Sequence, residues 1–235
     1  LDACLMAMVE VGYQLKDCAN ILIASEETIP GYGFPYSNIM RVLSAQSGLI
    51  SPNFFSRVIV EEYGLAYSQG GNIEDSSMTD DNFTLSAIDL GQIQNVAQAI
   101  HNLAEKLKTT SGWNADARIR ADSYCDNENV DLIDLCGRDI YPSGSEDSAV
   151  VEATSSAILY YTNGSARRRS FGLAVYFPKH ADYLSAAYDL TNLDFLKNAN
   201  FSADSWWNWL LGFYTPSTAS DSKEIIYNAT QKLMG

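Results

Sequence analysis

Histidine is nearly absent from this chain. Only His101 and His180 occur in 235 residues, so any proton-relay or metal chemistry that needs imidazole has two positions to draw on. His101 falls inside an amphipathic stretch, Leu90 to Lys108, and His180 follows a predicted strand ending at Phe177-Pro178. Both read as structural or solvated. The four cysteines, Cys4, Cys18, Cys125 and Cys136, form neither a CxxC pair nor a Cys/His cluster, which argues against zinc. Cys125 and Cys136 could pair in an oxidising compartment, although free buried thiols are common in a chain of this size. Basic residues are few, 15 against 29 acidic ones, leaving a net charge of −14. Phosphate recognition needs a basic stripe, so nucleic acid is not an expected partner; an acidic surface suits solubility and equally the attraction of basic peptides. No run approaches the roughly 20 apolar residues of a membrane span, and there is no internal repeat. A hydrophobic content of 46% rules out a disordered chain and supports one large core, with or without an appendage.

What is present stands first at the opening, Leu1-Asp2-Ala3-Cys4-Leu5-Met6-Ala7. Read as a short strand handing over to a helix, it places Asp2 and Cys4 on the same side, because strand residues two apart share a face. From Leu5 onward, Leu5, Met8, Val9 and Tyr13 recur at helical spacing. Cys4 is thereby expected at a helix N-terminus, where free N–H groups and the macrodipole favour a thiolate. Asp2 does not activate it, since a nearby carboxylate disfavours a second negative charge. Its role in this pattern is an acidic specificity pocket beside the nucleophile. A redox-sensing cysteine is a weaker reading, because no resolving cysteine is apparent.

Strands and helices alternate downstream. Asn20-Ile21-Leu22-Ile23-Ala24 is a continuous apolar run of the kind found in strands covered on both faces. It ends in Ser25-Glu26-Glu27-Thr28 and the turn residues Pro30-Gly31-Tyr32-Gly33. Ligands of open α/β sheets lie beyond the carboxyl ends of the strands, which makes Ser25, Glu26 and Glu27 further pocket candidates. Ser51-Pro52 is a helix start leading to about Tyr67. Phe83–Asp89 alternates as a strand, and Leu90–Lys108 is helical with its apolar stripe in the core. Asn129–Cys136 and Asp147–Tyr161 read as helices, and Ser170–Phe177 reads as a strand. Ala181–Tyr188 and Ser205–Tyr214 are predicted helical, with Trp206, Trp207 and Trp209 sealing the core. The polar stretch 68–82 carries Asp75, Asp80 and Asp81 without EF-hand spacing. Arg167-Arg168-Arg169 reads either as a solvated turn or as a cleavage loop.

The segment Asp2-Ala3-Cys4-Leu5-Met6-Ala7 resembles the nucleophile motif of the clostripain family of cysteine peptidases, relatives of the caspases and gingipains. Further likeness runs through Val9–Leu15, Ala24–Gly33, Thr84–Leu90 and Phe171–Pro178. The resemblance implies an α/β fold with a caspase-like, largely parallel sheet, helices on both faces and a C-terminal helical and strand extension. Residues 1–214 would form the peptidase portion, and 215–235 a linker and tail. It implies a cysteine endopeptidase with Cys4 as nucleophile and with Asp2, Ser25 and Glu26 binding a basic residue of a peptide substrate. In the family the catalytic histidine lies upstream of the cysteine. That base is therefore expected outside this chain, on a light chain or N-terminal half, and the polypeptide is expected to be a heavy chain or a fragment. A catalytically inactive, peptidase-like binding domain is the alternative. The likeness also suggests a secreted or cell-envelope location and leaves calcium as a cofactor open, its ligands unknown; the chemistry requires none. Where relatives often carry an aspartate, Phe34-Pro35-Tyr36 stands here, so the details of specificity do not transfer directly.

Overall fold

A computed structural model describes residues 1–71, 75, 77, 79–109, 115–126, 128–137, 145–188, 192–197 and 205–214. Its elements run α1 (Val9–Leu15), β1 (Ile21–Ala24), α2 (Tyr36–Ser44), α3 (Pro52–Gln69), β2 (Thr84–Asp89), α4 (Ile93–Thr109), α5 (Ala115–Arg120), β3 (Ser123–Tyr124), β4 (Asn129–Asp131), α6 (Leu132–Cys136), α7 (Ser145–Ala157), β5 (Ile158–Asn163), β6 (Ala174–Tyr176) and α8 (Ser205–Tyr214), with short 3₁₀ turns between some of them. The α/β class is as expected. The linker and tail expected at 215–235 lie outside the described residues.

Among the described residues two three-stranded sheets are formed, ordered β1-β2-β5 and β3-β4-β6. Every ladder in them is antiparallel; the parallel contact is a single bridge between Met8 and Ala174. The expectation of a largely parallel sheet is thus corrected, and the reason lies in what an apolar run reports. Such a run says that both faces of a strand are covered, whatever the direction of its neighbour. In β1, Ile21 and Ile23 face a core built with Val58, Tyr63 and Tyr67 of α3 and with Phe83, Leu85 and Ala87. Leu22 and Ala24 face the second core, with Ile88, the apolar stripe of α4, Val150 of α7 and Trp206 and Trp209 of α8.

Local chemistry explains several boundaries. Ser51 caps α3 by accepting a hydrogen bond from Phe54 N–H at 3.2 Å, and Pro52 occupies the first turn. Asp131 caps α6, accepting from Asp134 N–H at 2.6 Å. The stretch expected as one helix from Asn129 to Cys136 is therefore a strand and a helix joined at that cap. Asp147–Tyr161 divides similarly: α7 ends at Ala157, and the run Ile158-Leu159-Tyr160-Tyr161-Thr162 pairs with β2, as branched and aromatic side chains favour. Ala181–Tyr188 contains a 3₁₀ turn at Ala181–Tyr183 in place of the helix.

The segment before α1 joins the two sheets. Ala7 N–H donates to Ser25 O at 2.9 Å, just beyond β1, and Ala7 O accepts from Ala174 N–H of β6 at 2.9 Å. Glu10 of α1 reinforces the junction from within, accepting from Tyr176 N–H (2.9 Å) and Tyr188 O–H (2.7 Å).

Candidate active site

Cys4 lies in a turn and not in a strand, and α1 begins only at Val9. The residue after the cysteine, Leu5, has φ +61°, a left-handed conformation that side-chain-bearing residues adopt at some strain. That turn ends regular strand geometry, so the two-residue periodicity and the helix N-terminus invoked from the sequence do not position the thiol. The neighbouring chain does. Leu5 N–H donates to Glu27 O at 3.2 Å, and Cys4 Sγ accepts from Ile29 N–H at 3.3 Å. The thiol is exposed.

Asp2 is also exposed and reaches the same loop a few residues further on. Tyr36, the first residue of α2, donates its phenol to Asp2 Oδ2 at 2.8 Å. Gly33 passes directly beneath the carboxylate: a Cβ there would stand 3.4 Å from Oδ2, and its φ of +70° suits glycine. The loop is tied down from behind, since the Tyr67 phenol donates to Gly33 O at 2.7 Å. The hydrogen bond to Asp2 is also the main reason the Tyr36 phenol is pushed above its ordinary pKa. Thiol and carboxylate thus stand on one rim, each held by the stretch 29–36. Tyr36 was legible only as a departure from the aspartate common in relatives.

Ser25 and Glu26, expected to line the pocket, are buried. Ser25 Oγ shares a 2.9 Å hydrogen bond with Thr84 Oγ1, and Glu26 N–H donates to that same oxygen at 3.0 Å. The Glu26 carboxyl accepts from Gly172 N–H at 2.9 Å. Burial, and then the adjacent Asp131, raise its pKa well above the carboxylate range, while burial pushes Asp131 up to about 7. Two carboxyls so placed favour holding a proton between them over ionising together. Glu27 is buried in an ion pair with Arg167, which also donates to Asn82 Oδ1 (2.7 Å) and Ser123 O (3.2 Å). Arg169 lies 3.8 Å from both Asp122 and Asp134. The basic run is therefore pinned at both ends.

Neither histidine is hydrogen-bonded to Cys4 among the described residues. His101 is buried, its Nε2–H donating to Phe195 O (3.0 Å) and its Nδ1 accepting from Ser205 O–H (2.8 Å), and burial lowers its pKa. His180 is exposed beside Tyr183. In the polar stretch 68–82, Asp75 accepts from Ser77, and Asp80 from Asn82 N–H. Among the described residues no three His, Cys, Asp or Glu side chains are grouped to hold a metal ion.

The fold is shared with solved cysteine peptidases. A Bacteroides fragilis cysteine protease superposes with a TM-score of 0.64 at 19% identity, over 92% of this chain and 88% of that one. A Bacteroides thetaiotaomicron clostripain, in complex with the peptide inhibitor BTN-VLTK-AOMK, gives 0.57 at 16%, over 82% and 83%. A secreted C11 cysteine protease of the same organism, bound to an irreversible peptide inhibitor, gives 0.57 at 22%, over 79% and 52%. No curated protein is a significant match in sequence. The profile of the clostripain family matches residues 1–212, the whole of the rim and both cores included, and the chain accordingly belongs to the clostripain family of cysteine peptidases.

Proposed function

We propose that the chain carries the nucleophile and the acidic specificity residue of an endopeptidase that cleaves after arginine or lysine. The observation that carries this reading is the shared rim: an exposed thiol and an exposed carboxylate two residues apart, both held by the loop 29–36. Cys4, as thiolate, attacks the scissile carbonyl, forming the C–S bond, and negative charge develops on the carbonyl oxygen. Backbone N–H groups near Cys4 stabilise that charge, each donor contributing about 3 kcal/mol in comparable sites. A histidine protonates the leaving amine as the C–N bond breaks, and water then hydrolyses the thioester. With His101 committed to Phe195 and Ser205, and His180 set beside Tyr183 without a hydrogen bond to Cys4 among the described residues, the proposal assigns this base to a histidine outside the chain. Asp2 receives the basic side chain before the cut; a carboxylate pairs with a guanidinium through two parallel hydrogen bonds, and with an ammonium as a point charge. The lysine ending the peptide of the inhibitor bound to the B. thetaiotaomicron clostripain supports a basic residue at that position. Secretion belongs to the same proposal, supported by the neighbour described as secreted; no described helix is long and apolar enough to cross a membrane.

Labelling with a peptidyl-arginine acyloxymethyl ketone tests the assignment. The reagent should modify Cys4, seen by peptide mass analysis, and Cys4→Ala should abolish labelling and turnover. Asp2→Asn should erase the preference for basic residues. Activity persisting in Cys4→Ala refutes the nucleophile, and preference for an acidic or small residue refutes the pocket. The second reading, an inactive binding domain, is favoured by the commitment of His101 to structural contacts; it requires that basic peptides bind without alkylating or being cleaved.

A further inference from the structure

The Asp2 carboxylate is solvent-exposed, on two rotatable bonds, in a segment without regular secondary structure. An exposed carboxylate left to swing forms ion pairs worth little, about 0–1 kcal/mol, because ordering both partners offsets the attraction. Recognition of a guanidinium through two parallel hydrogen bonds demands more than charge, since the plane of the carboxylate must be fixed in advance. The rim contains the device for this. The Tyr36 phenol donates to Oδ2 at 2.8 Å, the Gly33 backbone lies beneath the carboxylate, and Tyr67 holds Gly33 through its carbonyl at 2.7 Å. Two phenols thus bear on this one loop, Tyr67 from behind and Tyr36 at the carboxylate.

We infer that Tyr36 is a positioning residue for basic-side-chain recognition: its hydroxyl sets the plane of the Asp2 carboxylate for side-on pairing with arginine. This rests on the reading that Asp2 receives the basic side chain. A carboxylate offers about four lone-pair sites. The phenol occupies one on Oδ2, and side-on arginine needs one on each oxygen, so phenol and guanidinium bind together and do not compete. An ammonium, approaching as a point charge, is far less sensitive to the orientation of that plane. Tyr36 therefore acts on the choice between arginine and lysine as well as on affinity.

The test compares labelling of Cys4 by matched peptidyl-Arg and peptidyl-Lys acyloxymethyl ketones in the wild type, Tyr36→Phe, Asp2→Asn and the double variant. The ratio of the two rates cancels whatever the catalytic base contributes. Tyr36→Phe removes one hydroxyl from a half-exposed ring, and an unchanged thermal midpoint verifies its fold. It should slow labelling by the arginine reagent about 5- to 10-fold and by the lysine reagent about 2-fold or less, through the half-saturation concentration and not the maximal rate. In the Asp2→Asn background it should change neither. An unchanged Arg/Lys ratio in Tyr36→Phe, with Asp2→Asn still erasing basic preference, overturns the role of Tyr36 alone. Basic preference surviving in Asp2→Asn overturns the pocket reading and this inference with it.

Discussion

Replacing Glu10 with glutamine should flatten the dependence of stability on pH. Glu10 is buried at the junction of α1 with β6, one oxygen accepting from Tyr176 N–H and Tyr188 O–H and the other without a partner among the described residues. Burial raises its pKa from 4.5 to about 7, against the opposing pull of those hydrogen bonds. The folded protein therefore keeps a proton that the unfolded chain releases. The sign follows: the contribution is fully present below pH 4.5 and is lost as pH rises toward 7. At about 1.4 kcal/mol per pKa unit, the loss across that window is about 3 kcal/mol. Glutamine keeps an acceptor for both donors and cannot ionise. Its buried NH2 carries an unsatisfied-donor penalty of about 1–3 kcal/mol, constant with pH, so the slope and not the absolute stability is diagnostic. Urea unfolding from pH 4.5 to 8.5 should show a shallower decline for Glu10→Gln, by about 3 kcal/mol over the range. A profile parallel to the wild type would refute the burial argument. Asp131, raised to about 7, and Asp147, raised to about 6, predict that the residual slope has the same sign.

Three further outcomes follow from the packing and the site. Arg167→Ala leaves Glu27 buried without its cation and should destabilise the fold by about 3 kcal/mol; the double variant with Glu27→Gln should lose less than the sum of the single changes, and strict additivity in urea titrations would rule out the coupling. Gly164→Ala should cost more than about 2 kcal/mol, because its Cβ would stand 2.1 Å from the Asp81 carbonyl oxygen; a thermal midpoint equal to the wild type would contradict that packing. Cys4→Ala, at an exposed thiol, should change unfolding free energy by no more than about 0.5 kcal/mol, which calorimetry can check alongside the loss of labelling.

Where a boundary depends on a few adjacent residues, the sequence was readable. The Ser51-Pro52 start of α3, the apolar stripe of α4 and the Trp-rich α8 all appear as expected. Strand direction was not readable, because burial on two faces leaves the same apolar pattern in parallel and antiparallel sheets. The division of Asp147–Tyr161 was lost for a related reason: a helix passing directly into a strand leaves no glycine or proline to mark the change. At the site, Asp2 and Cys4 could be considered together because the two are neighbours in the chain. The hydrogen bond from Tyr36 to Asp2 spans 34 positions, and the inward turn of Ser25 and Glu26 depends on Thr84 and Gly172, more distant still. Such contacts are set by packing, which no local pattern records.

The proposed recognition surface is assembled from two short, contiguous pieces of chain, one bearing Asp2 and Cys4 and the other supplying Ile29, Gly33 and Tyr36. On that proposal, exchanging the second piece between related enzymes, together with the Tyr67 that holds Gly33, should transplant preference as a cassette.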